Sequence, residues 1–190
     1  GEPLLLTQPQ STNFVEYSED FTNVFWNKNN TTVSFESVTN PKGELGAYKL
    51  IPDNGIGGNR SIGSSFNGIS ELHTLTVYVK YADYRYFYLR IRNSPAATSV
   101  FDFETETITL YGVTISTKFT KLKDGWFRIE AIFDPSLQDD PDLLFISFSM
   151  SDLPNTNTFD GDGSKFTYIW GAQFEEKPFA TSYISTNGSV

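Results

Sequence analysis

The run "YRYFYLRIR", residues 84–92, sets three tyrosines and three arginines around a phenylalanine, a leucine and an isoleucine. Apart from Arg85, the two sets separate by parity: Phe87, Leu89 and Ile91 are odd, while Tyr84, Tyr86, Tyr88, Arg90 and Arg92 are even. Successive side chains of a strand point to opposite faces, so the run predicts an apolar face backed by an aromatic and cationic one. Tyrosine rings give flat apolar surface with a polar edge, which suits the C–H face of a pyranose. Arginine gives a planar fork for carboxylate, sulfate or hydroxyl oxygens. The chemistry implied is sugar recognition through Tyr86, Tyr88 and Arg90. Two blander accounts compete with it: cross-strand pairs that only stabilise an exposed sheet, and a face that packs on a neighbouring subunit.

The stretch "HTLTVYVK" (73–80) alternates too, with Leu75, Val77 and Val79 inward and Thr74, Thr76, Tyr78 and Lys80 outward. The link "YADY" is short enough to predict a β-hairpin, which would set both strands side by side in one sheet. Tyr78 and Lys80 would then share a face with Tyr86, Tyr88 and Arg90. Trp126, Arg128 and Glu130 form a similar outward set opposite Phe127, Ile129 and Ala131. Alternation alone assigns that set to neither sheet.

Little else supports catalysis or a metal. His73 is the single histidine and has the parity of Leu75 and Val77, which makes it a structural residue at a strand start. With no cysteine, thiolate metal sites are excluded, one histidine gives a transition-metal site no support, and no "GxSxG" elbow exists for a nucleophile. No residue is assigned a catalytic role. The dense carboxylates, "LQDDPD" (137–142) and "FETE" (103–106), fall in turns or at strand ends, where solvation accounts for them. "DGDGS" (160–164) sets Asp160 and Asp162 at alternate positions, as a calcium loop does, but lacks the downstream bidentate Glu of an EF-hand. An ordinary Asp-Gly turn and a structural calcium are the two alternatives there, and no other cofactor is implied.

The elements that must position these residues are strands. The chain has 190 residues, with 17 Phe, 10 Tyr and 3 Trp, and 16% of it is aromatic. That length suits one domain, and the composition favours β structure. Strands are predicted at 31–38, 46–52, 73–80, 86–92, 99–110, 112–122, 125–133, 143–150 and 166–176. The breaks carry Gly, Pro and Asp, as in "KDG" and "SDLPNTNTFDGDGS". Residues 52–68 read as a loop with one short strand inside. Residues 1–12 read as a linker or the end of an upstream module, and 13–190 as the module itself. Short strands with regular turn signals and no helical period predict an all-β, antiparallel two-sheet β-sandwich of the jelly-roll kind. A net charge of −9 argues against a nucleic-acid partner, and no apolar run approaches the ~18 residues of a membrane span.

Five stretches in fixed order carry a resemblance. "VEYSEDFTNVFWNK" (15–28), "TLTVYVK" (74–80), "FDFETETIT" (101–109), "DGWFRIEAIF" (124–133) and "YIWGAQFEEKPFATSYIST" (168–186) together resemble the carbohydrate-binding-like β-sandwich domains of phage and prophage virion proteins, such as tail fibres and head spikes. Related domains occur in bacterial surface proteins. The closing "WGAQFEE…TSYI" is the most specific part. Two turns depart from the family's pattern: Glu106 stands where a "DLETG" turn has Gly, and "KDGW" stands for "GNGW". The resemblance implies a jelly-roll module without catalytic residues, located on a virion surface or outside the cell. Its implied partner is a polysaccharide or surface glycan, with a homo-oligomer or larger virion assembly as a further partner class. A module attached to a polysaccharide-degrading enzyme, a structural decoration without a sugar ligand, and a polysaccharide lyase are the alternatives. Gln173 in the "WGAQ" strand, by the parity of Ile169 and Gly171, would add an amide to a glycan face, or else make an edge hydrogen bond.

Overall fold

Alternating β-branched and aromatic residues build twelve strands among the described residues of the computed structural model, which are 10–67, 71–92, 96–137, 139 and 143–189. In chain order they are β1 (Asn27–Asn29), β2 (Thr31–Thr39), β3 (Leu45–Pro52), β4 (Ser61–Asn67), β5 (His73–Lys80), β6 (Tyr86–Ile91), β7 (Ala97–Asp102), β8 (Thr107–Gly112), β9 (Thr114–Lys121), β10 (Trp126–Phe133), β11 (Leu143–Ser151) and β12 (Thr167–Glu175). They form two antiparallel six-stranded sheets packed face to face. The first has the order β1-β4-β11-β6-β7-β8 and the second β2-β3-β12-β5-β10-β9. This is the two-sheet, all-β jelly-roll sandwich that the strand pattern predicts.

The core lies between the sheets and takes the inward set of each strand. Phe87, Leu89, Ile91, Phe101 and Phe148 come from the first sheet, and Leu75, Val77, Ile129, Phe133 and Phe174 from the second. Phe133 and Phe174 stack with ring centroids 5.7 Å apart, and His73 lies 4.8 Å from Phe174. Burying each such aliphatic or aromatic side chain contributes roughly 1.5–3 kcal/mol. His73 belongs to this core. Burial pushes its imidazole below the usual range, and Nδ1 lies 2.6 Å from the Glu71 carbonyl.

The hairpin expected from "YADY" does not form: β5 lies in the second sheet and β6 in the first. The link, residues 81–85, is an arch at one end of the sandwich. Five residues span up to ~17 Å, which is ample for the ~10 Å between packed sheets. Its polar backbone is tied outward rather than to itself. Asp83 N–H donates to the Phe166 carbonyl at 3.1 Å, and Phe103 N–H donates to the Arg85 carbonyl at 3.0 Å. Tyr84 plugs the arch, fully buried against Phe159. Tyr78 and Lys80 therefore do not share a face with Tyr86, Tyr88 and Arg90.

The expected single strand over 99–110 is two strands, β7 and β8, joined by a tight turn. Asp102 caps this turn by accepting from the N–H groups of Glu104 at 2.9 Å and Thr105 at 3.4 Å. Glu106 adopts φ 52°, the left-handed conformation that a glycine would take at no steric cost. Most of the expected linker, residues 1–9, lies outside the described residues, as does part of the acidic run 137–142. Ser11 donates to the Glu175 carboxylate at 2.7 Å.

Candidate functional site

The outward face of the first sheet is polar across all six strands. β6 contributes Tyr86, Tyr88 and Arg90, which stand opposite Ser151, Ser149 and Ser147 of β11 and Asp102, Val100 and Thr98 of β7. Tyr111 of β8 stands opposite Thr98, while Asn27 and Asn29 of β1 stand opposite Gly63 and Ser61 of β4. The serines are short, so the neighbouring rings and guanidinium cover them completely.

The chain after β11 folds back over part of this face. The Tyr88 hydroxyl donates to the carbonyls of Leu153 and Thr156, the latter at 3.1 Å. Arg90 Nη1 donates to Asn157 Oδ1 at 2.9 Å. Asn157 Nδ2 in turn donates to Asn59 Oδ1, and the Asn157 carbonyl accepts from Arg60 N–H at 3.2 Å. Between this loop and the sheet lies a cleft of about 330 Å³, walled by Tyr88, Arg90, Thr98, Tyr111 and residues 155–157. A second hollow of about 410 Å³ lies toward the opposite edge, lined by Asn27, Asn29, Ser61, Arg92 and Phe145. The Arg92 guanidinium stands 5.5 Å from the centre of the Phe145 ring. The ladder continues past β6 to hold this position, since Arg92 N–H donates to the Phe145 carbonyl at 2.7 Å. Six strands at ~4.8 Å spacing make the face ~24 Å across, enough for an extended chain of several rings.

Among the described residues, both hollows are lined by amide, hydroxyl, guanidinium and aromatic groups and by no carboxylate. Burial pushes the Tyr88 phenol up to about 12, so it is a neutral hydrogen-bond donor. Arg90 is held below its usual range, first by burial and then by the neighbouring Arg92 charge.

Tyr86, Tyr88 and Arg90 thus share a face as the alternation predicts, but Tyr88 is no open stacking platform. It is only 3% exposed, because the returning loop takes its hydroxyl. Tyr86 is half-buried beneath the Arg85 guanidinium, which lies 5.2 Å from its ring centre.

Tyr78, Trp126, Arg128 and Gln173 lie on the outward face of the second sheet, under the C-terminal segment. Trp126 Nε1 donates to the Thr39 carbonyl at 2.9 Å and Arg128 Nη2 to the Thr181 carbonyl at 2.6 Å. Tyr78 packs edge-on against Trp170 and Tyr183, at 5.1 and 5.8 Å. Gln173 is 0% exposed; its Nε2 donates to Thr181 Oγ1 at 3.3 Å, and its Oε1 accepts from Ile184 N–H at 2.7 Å. The expected amide on a glycan face is a clamp on the C-terminal segment instead. Gln173 shares the parity of Ile169 yet points to the opposite face, because β12 slips register between Trp170 and Gln173, where Gly171 turns at φ 59°.

Tyr111, residues 155–157, Arg92, Phe145, Asn27 and Asn29 are the site residues that sequence reasoning missed. The signal available for the loop was the Asn/Thr run in "LPNTNTF" after β11.

Two other places remain. Asp160 accepts from Gly57 N–H at 2.6 Å, and Asp162 accepts from the N–H groups of Ser164 and Lys165 at 2.8 and 2.9 Å. Asp162 thus closes a turn and Asp160 ties this loop to Gly57, and no group of three or more His, Cys, Asp or Glu that could hold a metal ion occurs among the described residues. A hollow of about 460 Å³ beside the arch holds Tyr81, Asp83, Arg85, Phe103, Glu104 and Asp152. Its Arg85 donates to both oxygens of the neighbouring Asp102 at 3.0 and 2.8 Å and also pairs with Glu104, while Asp152 pairs with Lys165 at 3.6 Å.

No protein-family model and no curated protein sequence matches the chain. Its fold is similar to that of TmCBM61 in complex with β-1,4-galactotriose, at 9% identity over 88% of this chain and 100% of that one, with a TM-score of 0.46. It is also similar to the CBM22-1 xylan-binding domain from Paenibacillus barcinonensis Xyn10C, at 12% identity over 90% and 95% of the two chains, TM-score 0.46. A third likeness is to the enzymatically active domain of bacteriophage CBA120 tailspike protein 4, at 11% identity and TM-score 0.46; the match covers 84% of this chain and 20% of that one. At these values the likenesses carry no argument about ligand or activity.

Proposed function

We propose that this chain is a non-catalytic glycan-binding module, seating a polysaccharide across the outward face of the first sheet. The observation that carries the reading is the pair of hollows, about 330 and 410 Å³, on one face and lined by hydroxyl, amide, guanidinium and aromatic groups. Each volume is in the range of small-ligand sites. Tyr111, 43% exposed, offers a ring for stacking, and Asn27, Asn29 and residues 155–157 offer both donors and acceptors to sugar hydroxyls.

Turnover has no support in the same hollows. A glycosidase needs two carboxylates flanking the bond, and among the described residues neither hollow supplies one. A lyase needs a proton acceptor, and Tyr88, with its phenol pushed up to about 12, stays protonated at neutral pH. As an adhesion module on a virion surface or outside the cell, such a site gains from repetition, because several weak sites on one particle bind with avidity. A glycan array followed by calorimetry on the best ligand tests the reading. Tyr111→Ala should weaken binding about tenfold, equivalent to ~1.4 kcal/mol, and leave the unfolding transition in place. A folded parent protein that retains no glycan would refute the proposal.

A further inference from the structure

Arg90 and Arg92 stand on the same side of the first sheet, two positions apart along one strand direction, hence ~7 Å apart at the backbone. Arg90 walls one hollow and Arg92 the other. The chain is acidic, with a net charge of −9; of its other arginines, Arg85 pairs with Asp102 and Glu104 and Arg128 with Glu130, while Arg60 is buried and gives its Nη2 to the Gly55 carbonyl at 2.9 Å. Among the described residues, no carboxylate pairs with Arg90 or Arg92. Among the described residues, the cationic charge that bears on Arg90 is that of Arg92, a repulsive arrangement in a protein with carboxylates to spare.

Burial sharpens the point. The Arg90 guanidinium is half-buried; Nη1 is held by the neutral Asn157 amide at 2.9 Å, and Nε makes no hydrogen bond. A buried cation without a counter-charge costs free energy, and a guanidinium does not escape by losing its proton. Asn157, fixed by Asn59 and the Arg60 backbone, holds the fork in place before any ligand arrives. A site for neutral sugars gains from carboxylate acceptors for the hydroxyl protons. Among the described residues both hollows omit them, and those are the groups that would repel an anion.

Resting on the glycan reading above, we infer that the polysaccharide is anionic, with an oxyanion on its repeat (carboxylate, sulfate or phosphate) seated between the hollows on Arg90 and Arg92. The overall charge of −9 repels a polyanion at long range, but screening confines that field to ~8 Å at physiological salt. The arginine pair acts by contact rather than by steering.

The test uses matched polymers in 0.15 M salt: polygalacturonate against its methyl ester, dextran sulfate against dextran, and phosphorylated dextran against the same dextran. The pairs separate carboxylate, sulfate and phosphate as the source of the oxyanion. The parent protein should bind at least one acidic polymer about tenfold or more tighter than its neutral counterpart. Arg92→Gln, at an exposed position where folding is unaffected, should erase that preference, and Arg90→Gln should do the same. Equal affinity for acidic and neutral partners would overturn the anionic inference and leave the glycan reading standing. A preference that survives in folded Arg92→Gln and Arg90→Gln would overturn the role of the pair. Retention of none of the polymers would overturn both the inference and the reading beneath it.

Discussion

Tyr88→Phe removes a single oxygen and tests how the cleft is built. The ring stays where it is, since Tyr88 is only 3% exposed. What is lost is the one O–H shared by the carbonyls of Leu153 and Thr156. A net hydrogen bond contributes ~0.5–1.5 kcal/mol, and a carbonyl left without a donor costs ~1–3 kcal/mol when water cannot reach it. Leu153 and Asn155 are exposed, so water reaches the loop and the lower part of that range applies, about 1–2 kcal/mol. In a domain of this size each kcal/mol lowers Tm by ~2–4 °C, giving a fall of ~2–8 °C. The loop also carries residues 155–157, one wall of the cleft, so glycan affinity should drop alongside stability. Calorimetric unfolding, limited proteolysis across 152–157 and a binding titration on one preparation read the three effects together. An unchanged Tm with unchanged cleavage would mean that the hydroxyl does not pin the loop, and the described wall of the cleft would fall with it.

Asp102 supplies a pH test of the arch. Burial alone would raise its carboxyl, but hydrogen bonds from Arg85, Glu104 and Thr105 outweigh that and hold it at about 2, against an ordinary 3.8. A depressed carboxylate stabilises above its unfolded value, and that contribution disappears as pH falls through the window from about 4 to about 2. The difference corresponds to ~2 kcal/mol, nearer 1 once the exposed Arg85 end is discounted for solvent screening. Urea midpoints for the parent and Asp102→Asn should differ at pH 7 and converge by pH 2; a gap that persists at pH 2 would rule out the charge as its source. Gln173→Ala should cost ~1–3 kcal/mol by releasing the C-terminal segment from its clamp, yet leave glycan affinity unchanged in the folded fraction. Loss of binding without loss of stability in that variant would return Gln173 to the ligand face.

Alternation made the inward and outward sets legible, and Phe87, Leu89, Ile91, Tyr88 and Arg90 all stand where parity puts them. It carried no information on which sheet a strand joins. A short link is compatible with a hairpin or with an arch, and the choice here rests on hydrogen bonds to Phe166 and Phe103, far along the chain. Parity also fails across a bulge, as Gly171 shows. A Cβ there would meet the Tyr78 ring at 3.0 Å and the Tyr183 ring at 3.2 Å, and glycine's φ of 59° turns every later residue of β12 over. The deeper reason the site was only half legible is that alternation tells which side chains leave the core, not which remain in water. The outward faces of the two sheets carry much the same chemistry, Tyr78, Trp126 and Arg128 on one and Tyr88, Arg90 and Tyr111 on the other. Their fates differ because of what the chain lays over them. Residues 181–186 close the second sheet through Arg128, Gln173 and Tyr183, whereas residues 152–157 roof only part of the first. The partial roof leaves polar walls on both sides of an arginine pair, and that is where a ligand finds room.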